Sequence, residues 1–371
     1  MSSKSSSVIP AGKVAFVTGA NGISGHAIIE HLIRTPESAW SKIIVTSRRP
    51  LPSSWVDPRI EFVALDFLKP AETIINEIKV ICKDVTHAYF TSYVHSMDFS
   101  VLAEKNCPLF RNFLDAVDSA CPKLERICLQ TGGKHYGMMF REFSSPFHED
   151  TPRYEGPGSE SIFYYEQEDD MRRVQKRRNT WHYNVIRPMG IIGYTPQSRR
   201  NPQMAWKLRN YHRVEDQSYA PSIADLTVWA TTQEHCKDEA FNHTNGDVIL
   251  FKFLWAHLAK YFNVEVPSYS NMPDKDEPEL DLVEWARDKE EVWNRIVAKY
   301  GGREDCFQLD GFAMLNWGFN PSIDMKTPFM STVAKARKFG WNRIDDSYEA
   351  YDRSFRSYEN TGILPSSRQF R

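Results

Sequence analysis

Three glycines spaced three apart, Gly19, Gly22 and Gly25 in Thr18-Gly-Ala-Asn-Gly-Ile-Ser-Gly25, carry the most specific chemical signal in the chain. The spacing suits a dinucleotide. Gly19 allows a tight turn, Gly22 lets the backbone approach a pyrophosphate, and Gly25 lets the following helix pack close to the strand. The N–H groups that open that helix then face the phosphates, and the helix dipole adds favourable partial charge. Loops also collect glycine for turn geometry alone, so the flanks decide. Lys13-Val-Ala-Phe-Val17 precedes the turn as an apolar run, and Ile28, Ile29, Leu32 and Ile33 follow at helical spacing. A second chemical pair, Arg48 and Arg49, closes the next apolar run, Ile43-Ile-Val45. The end of a second strand is where such a fold meets the adenosine ribose. An acidic residue there would accept from a 2′-hydroxyl, whereas two guanidinium groups offer charge-assisted bonds to a 2′-phosphate. Two solvated surface arginines are the plainer alternative; on position, NADPH is expected over NADH.

The remaining candidates follow from strand ends. A third strand, Ile60 to Leu65, runs into Asp66, whose carboxylate could accept from the adenine amino group or simply cap a helix. A fourth, Val85 to Thr91, delivers Ser92 and Tyr93, and a fifth, Leu124 to Thr131, ends in Gln130-Thr-Gly-Gly-Lys-His-Tyr136. In an open α/β sheet ligands bind at the carboxyl ends of the strands, so Lys134 and Tyr136 reach the site by topology. The last strand, Asn184 to Ile186, runs into Arg187 and Pro188. The expected cofactor envelope is therefore Thr18, Gly19, Asn21, Gly22, Ile23 and Gly25 in the turn, Ser47, Arg48 and Arg49 after the second strand, and Asp66 with Phe67 after the third. Thr91, Ser92, Tyr93, Gln130, Lys134, Pro188 and Ile191 complete it.

The elements that must position these residues alternate. A helix over Ala71 to Ile81 places Ile74, Ile75, Ile78 and Ile81 on one side, and another runs through Phe110, Phe113, Leu114 and Val117. Four strand-helix alternations in a row specify an α/β fold with a parallel, doubly wound Rossmann-type sheet, because parallel strands need crossover connections. Phe140 to Gly158 has no clear period and three prolines; a loop of that length is usually functional, often a flap. It leads into a helix starting near Ser161. Beyond Thr195 the pattern turns helical, over Ile223 to Thr231, Phe251 to Tyr261, Leu282 to Val297, Phe329 to Phe339 and Tyr348 to Tyr358. The expected division is an NADP-binding Rossmann domain over 12–195, with 222–248 returning to it. A mostly helical substrate-binding lobe is expected over 196–221 and 249–371.

Composition excludes several classes. With 371 residues, 25% charged, 41% hydrophobic and a net charge of −2, the chain is an ordinary globular protein with no general attraction for nucleic acid or an anionic membrane. The basic run Arg172-Arg-Val-Gln-Lys-Arg-Arg178 is interrupted as a solvated helix face would be. Six scattered cysteines with no C-x-x-C pair suit a reducing compartment and argue against disulfides and zinc, and the histidines show no ligand spacing, so no metal is expected. The polar start of the chain and the lack of a long apolar run point to a cytoplasmic protein. A small apolar molecule is the expected partner, and a homodimer is left open.

These residues resemble a known family. The chain is similar to the progesterone 5β-reductase and iridoid synthase (PRISE) family, an atypical branch of the extended short-chain dehydrogenase/reductases. The stretches that carry the resemblance are TGANGISG, the paired arginines, VTHAYFTSY from Val85, FRNFLDAV from Phe110, LQTGGKHYG from Leu129, FYYEQED from Phe163, VIRPMGIIGYTP from Val185 and EAFNHTNGDV from Glu239. They span almost the whole chain. Members lack the Y-x-x-x-K pair of ordinary short-chain dehydrogenases, and here Glu168 stands four residues after Tyr164 and Asp169 four after Tyr165. The resemblance implies Lys134 and Tyr164 as the catalytic pair, both also beside the cofactor, and 1,4-reduction of an enone or enal by NADPH as the reaction. It also implies Phe140 as a pocket aromatic, although plain packing is an alternative. Members carry a longer insertion where this chain has Gln197 to Pro221, shorter by about a dozen residues and basic, which would widen the pocket.

The chemistry stands independently. Hydride added to the β-carbon of an enone pushes charge onto the carbonyl oxygen, and a neutral tyrosine hydroxyl suits that oxyanion because its ordinary pKa near ~10 keeps it protonated. Lys134 adds positive charge near the same oxygen and could hold the nicotinamide ribose. Tyr93, Tyr136 and Phe140 are the expected substrate contacts, with Tyr136 and Tyr165 as competing proton donors. Three rivals share the site: a carbonyl reductase, an isomerase or cyclase that does not complete net reduction, and an NADP-sensing regulator without turnover. A role in secondary metabolism follows from the resemblance.

Overall fold

The computed structural model describes residues 12–51, 55–96, 100–138, 140, 143–196, 214–265, 281–318 and 328–367. Its frame is a seven-stranded sheet built from the apolar runs. Strand β1 (Lys13–Thr18) is buried at all six positions, as a strand covered by helices on both faces must be. On one side of it lie β2 (Trp40–Ser47) and β3 (Ile60–Ala64), and on the other β4 (His87–Phe90), β5 (Arg126–Gln130) and β6 (His182–Pro188). A late strand, β10 (Glu239–His243), closes the order β10-β6-β5-β4-β1-β2-β3. Every pairing in this sheet is parallel, so all carboxyl ends meet at one edge.

Alternation along the strands feeds two cores. Phe16 faces a layer made by helices α2 (Ala71–Ile78), α3 (Ser100–Ala120) and α4 (Tyr164–Arg178), where Phe90, Phe110 and Phe113 pack ring on ring. Ala15 and Val17 face the other layer, where α1 (Ile23–Ile33) packs on α5 (Ala220–Thr232) through Ile28, Ile29, Ile223 and Leu226. Residues 220–243 thus return to the sheet, with α5 covering it and β10 pairing with β6.

Short strands link the sheet to the rest: β7 (Gly190–Ile192) pairs with β9 (Gln217–Tyr219), and β8 (Val214–Glu215) with β11 (Ile249–Leu250). The helices α6 (Phe251–Tyr261), α7 (Leu282–Ala286), α8 (Glu290–Tyr300), α9 (Leu309–Gly318), α10 (Ala334–Phe339) and α11 (Ser347–Asn360) follow. Leu254, Leu258, Trp293, Val297, Phe355 and Tyr358 form a separate core there. The single helix expected over Leu282–Val297 is two, because Asp281 caps a short first one by accepting from Val283 and Glu284 N–H and the polar Arg287-Asp288-Lys289 interrupts the apolar face. The helix expected from Phe329 begins only at Ala334, since Phe147 N–H donates to Met330 O (2.8 Å) and Thr332 N–H to Phe147 O (3.0 Å), holding 330–332 extended. The same bonds pin the loop from Phe140 to Gly158 at Phe147, which is 1% exposed. The basic stretch 197–213 and the segment 266–280 lie outside the described residues. Among the described residues no helix is long and apolar enough to cross a membrane.

Candidate active site

The glycine turn closes at three points where a side chain has no room. Gly19 has φ +66°, in the left-handed region, and a Cβ there would sit 2.9 Å from Thr91 O. A Cβ on Gly25 would lie 2.2 Å from Gly19 O, and one on Gly22 3.2 Å from the same atom. Helix α1 therefore starts flush against the end of β1, with no side chain capping its first N–H groups. Neighbouring strand ends hold the turn in place. Thr91 Oγ1 donates to Thr18 O (2.6 Å) and its N–H to Thr18 Oγ1 (3.1 Å). Gln130 Nε2 donates to Ser24 Oγ (2.8 Å), and Thr195 Oγ1 to Asn21 O (2.8 Å). A backbone cradle that any Cβ would fill, opening onto an uncapped helix, fits a dinucleotide pyrophosphate.

At the end of β2, Ser47 Oγ donates to Arg49 O (2.5 Å) and fixes the bend after the strand. Arg48 and Arg49 are exposed beyond it, and among the described residues no carboxylate pairs with either. Asp66 accepts from Leu68 N–H (3.0 Å) within a turn and caps no helix, the next helix starting at Ala71 after Pro70. Two members of the expected envelope turn their side chains inward: Thr18 is fully buried and serves Thr91, and Phe67 is 3% exposed with its ring on Phe113 at 5.6 Å. Asn21, Ile23, Ser92 and Gln130 are half-buried at the carboxyl edge, Ile191 is exposed, and Pro188 is buried at the end of β6.

The expected catalytic pair comes from two elements. A one-turn 3₁₀ helix, Gly133–Tyr136, follows β5 and carries Lys134, while Tyr164 opens α4. Tyr164 reaches the start of that turn at Gly132: a Cβ placed there would be 3.6 Å from Tyr164 Oη and 3.4 Å from Pro188 O. Burial lowers the half-buried Lys134 ammonium from its ordinary value to about 8. Burial pushes the Tyr164 hydroxyl up, and the nearby Tyr93 hydroxyl pushes it the same way, so Tyr164 stays protonated across the working range.

The competing tyrosines are engaged elsewhere. Tyr165 Oη donates to His135 O (2.6 Å) and accepts from Tyr154 N–H (2.9 Å), with the Arg153 guanidinium 4.8 Å over its ring. Tyr136 is 1% exposed, stacks on Phe147 at 4.5 Å, and donates its hydroxyl proton to Asn242 Oδ1. The side chain of Tyr136, expected at the substrate, thus packs in the core. Tyr93 (43% exposed) and Phe140 (37%) remain at the surface of the edge, Tyr93 beside Phe163 and Phe140 stacked on Tyr154.

Glu168 had no role in the sequence reading beyond marking a missing lysine. It is 1% exposed, and four groups converge on its carboxylate. Oε1 accepts from Arg187 Nη2 (3.1 Å) and lies 3.2 Å from His135 Nδ1; Oε2 accepts from Arg153 Nη2 (3.3 Å) and Arg172 Nη2 (3.2 Å). Burial alone would raise this carboxyl, but the His135 contact and the arginines, Arg187 first, hold it well below the usual range. The signal was available: an acid at a position facing the core of a helix, with arginines four residues on and at a strand end.

Comparison with known proteins agrees in kind. Residues 15–204 match the family described as a PRISE-like Rossmann-fold domain. The chain is 39% identical over 382 residues to the short chain dehydrogenase gsfE of Penicillium aethiopicum, across 95% of this chain and 99% of that protein. It is 30% identical over 366 residues to an (S)-8-oxocitronellyl enol synthase of Nepeta racemosa, across 91% and 89%. A 3-oxo-Delta(4,5)-steroid 5-beta-reductase of Arabidopsis thaliana is 28% identical over 382 residues, across 95% and 92%. Among solved structures, a dTDP-glucose 4,6-dehydratase of Bacillus anthracis superposes with a TM-score of 0.63 at 12% identity, covering 97% of this chain and 100% of that one, a likeness of fold alone.

Proposed function

The chain belongs to the PRISE-like Rossmann-fold family, and from that premise we propose that it is an NADPH-dependent reductase of an activated C=C bond, acting on an enone or enal within a bulky apolar molecule. The observation that carries this reading is the meeting of Tyr164 and the Lys134 turn at Gly132, with the hydroxyls of Tyr136 and Tyr165 both committed to other partners. When bound, the reduced nicotinamide supplies a hydride. The protein's part is to place the carbonyl and stabilise its oxygen. Tyr164, kept neutral by burial, donates to the oxygen as enolate charge develops there; Lys134, cationic below about 8, adds charge on the same side. Arg48 and Arg49, exposed and without carboxylate partners among the described residues, suit a 2′-phosphate. The names of two relatives, a steroid 5-beta-reductase and an enol synthase, support a conjugated carbonyl as the substrate class.

The enol synthase name also favours a second reading, in which the same oxyanion site releases an enol that cyclises or isomerises instead of taking a proton at carbon. A panel of enones assayed by NADPH oxidation tests the proposal. Bulky cyclic enones should be turned over with a higher kcat/KM than small acyclic ones such as methyl vinyl ketone, and a kcat/KM that falls steadily as enone size rises would contradict the bulky-substrate assignment.

A further inference from the structure

We infer that Glu168 is a positioning residue: its buried carboxylate clamps the turn bearing Lys134 to the helix bearing Tyr164, and so sets the spacing of the pair. The inference rests on the catalytic reading above for those two residues. Glu168 lies one helical turn after Tyr164 on α4, so its position fixes that of the tyrosine. His135, the neighbour of Lys134, meets Glu168 Oε1 at 3.2 Å. Arg187, on β6 next to Pro188, meets the same oxygen at 3.1 Å and also donates to Glu149 O (3.2 Å). One carboxylate thus joins the turn after β5, the end of β6 and the start of α4. A second tie parallels the first, the Tyr165 hydroxyl donating to His135 O at 2.6 Å.

Stability alone is a poor reason for this knot. Glu168 and Arg187 are 1% and 4% exposed, and a buried ion pair can often be replaced by apolar side chains with little loss or even a gain. What an apolar replacement cannot do is hold β6 and α4 in one register through the directed Arg187 bond while keeping His135 Nδ1 3.2 Å from the same oxygen, beside the Tyr165 bond to His135 O. The charge of the carboxylate is itself offset by Arg153, Arg172 and Arg187 around it. Its effect runs through distance.

The test uses Glu168→Gln and Tyr165→Phe in the full-length protein, with two readouts. In the first, kcat for enone reduction is compared with KM and NADPH Kd. Glu168→Gln should lower kcat by about tenfold to a hundredfold and Tyr165→Phe by about threefold to tenfold, with NADPH Kd within about twofold of wild type. The second readout needs no turnover: amine labelling of Lys134 against pH, followed by peptide mass spectrometry. A loosened turn admits water, so the labelling midpoint of Lys134 should rise towards that of a solvated lysine in both variants. If Glu168→Gln does not fold, Tyr165→Phe removes a tie without unpairing Arg187 and carries both readouts. Folded variants with wild-type kcat and an unmoved Lys134 midpoint would overturn the inference, leaving Glu168 a structural ion pair only. A wild type inactive on every enone, with the midpoint still shifting in the variants, would instead sink the reductase reading and leave the clamp standing.

Discussion

The buried amine of Lys134 makes the pH dependence of turnover a quantitative test. Burial lowers this group from its ordinary 10.5 to about 8. The sign is fixed by role: the cation stabilises the developing oxyanion, so the active form is present below the pKa and is lost as pH rises through it. Tyr164 is shifted upward and stays protonated throughout, so a basic limb belongs to the lysine. For a midpoint of about 8, the protonated fraction falls from about ten-elevenths at about pH 7 to about one-eleventh at about pH 9, a tenfold loss; a solvated lysine would lose only about 3% over the same range. The assay is kcat/KM for an enone at saturating NADPH in a constant-ionic-strength buffer series. Lys134→Arg, whose guanidinium stays charged, should have a lower plateau but no limb up to about pH 10. Wild-type activity undiminished at about pH 9, or a limb that persists unchanged in Lys134→Arg, would refute the assignment of the lysine.

Three further outcomes follow from the geometry. NADPH should bind at least tenfold tighter than NADH by fluorescence titration, and Arg49→Ala should narrow that gap, since losing one charge-assisted phosphate contact costs about 1.5 to 3 kcal/mol; equal affinities in the wild type would count against the 2′-phosphate reading. Tyr164→Phe should reduce kcat by about 10² to 10³ with cofactor affinity nearly unchanged, whereas Tyr136→Phe should cost about 1 to 3 kcal/mol of stability in chemical denaturation while keeping the rate within a fewfold. Gly25→Ala forces a methyl to within 2.2 Å of Gly19 O, so the turn must shift by about an ångström and NADPH affinity should fall at least tenfold; a variant that binds as wild type would show the cradle to be more pliant than its contacts imply.

Much of this was legible in the residues. Parallel strands covered on both faces are apolar throughout, and β1 and β4 are buried at every position, so the sheet could be read from runs and crossovers. Glycine at 19 and 25 carried its own explanation, because each position excludes a Cβ, and Gly22 is crowded against Gly19 O. Side-chain direction was not legible. Tyr164 and Tyr165 are adjacent and chemically identical, and what separates them is the Tyr165 hydroxyl's bonds to His135 O and Tyr154 N–H. Tyr136 reached the correct strand end but turns inward, where Asn242, distant in sequence, takes its proton. Phe67 likewise follows a strand end, yet three phenylalanines of the adjoining core draw it in. Helix ends in the last third were misplaced where a local cap or a distant strand bridge overrode the apolar period, as at Asp281 and Phe147.

The most direct test of the central claim is the fate of the hydride. The purified protein is incubated with a bulky cyclic enone and NADPH deuterated at the nicotinamide C4, each C4 face in turn, and the product is analysed by mass spectrometry and NMR. The account predicts a saturated ketone carrying one deuterium at the former β-carbon, with one NADPH oxidised per product. Deuterium on the carbinol carbon of an allylic alcohol would identify a carbonyl reductase, and a rearranged product formed without net NADPH oxidation would identify an isomerase; either result would contradict the account.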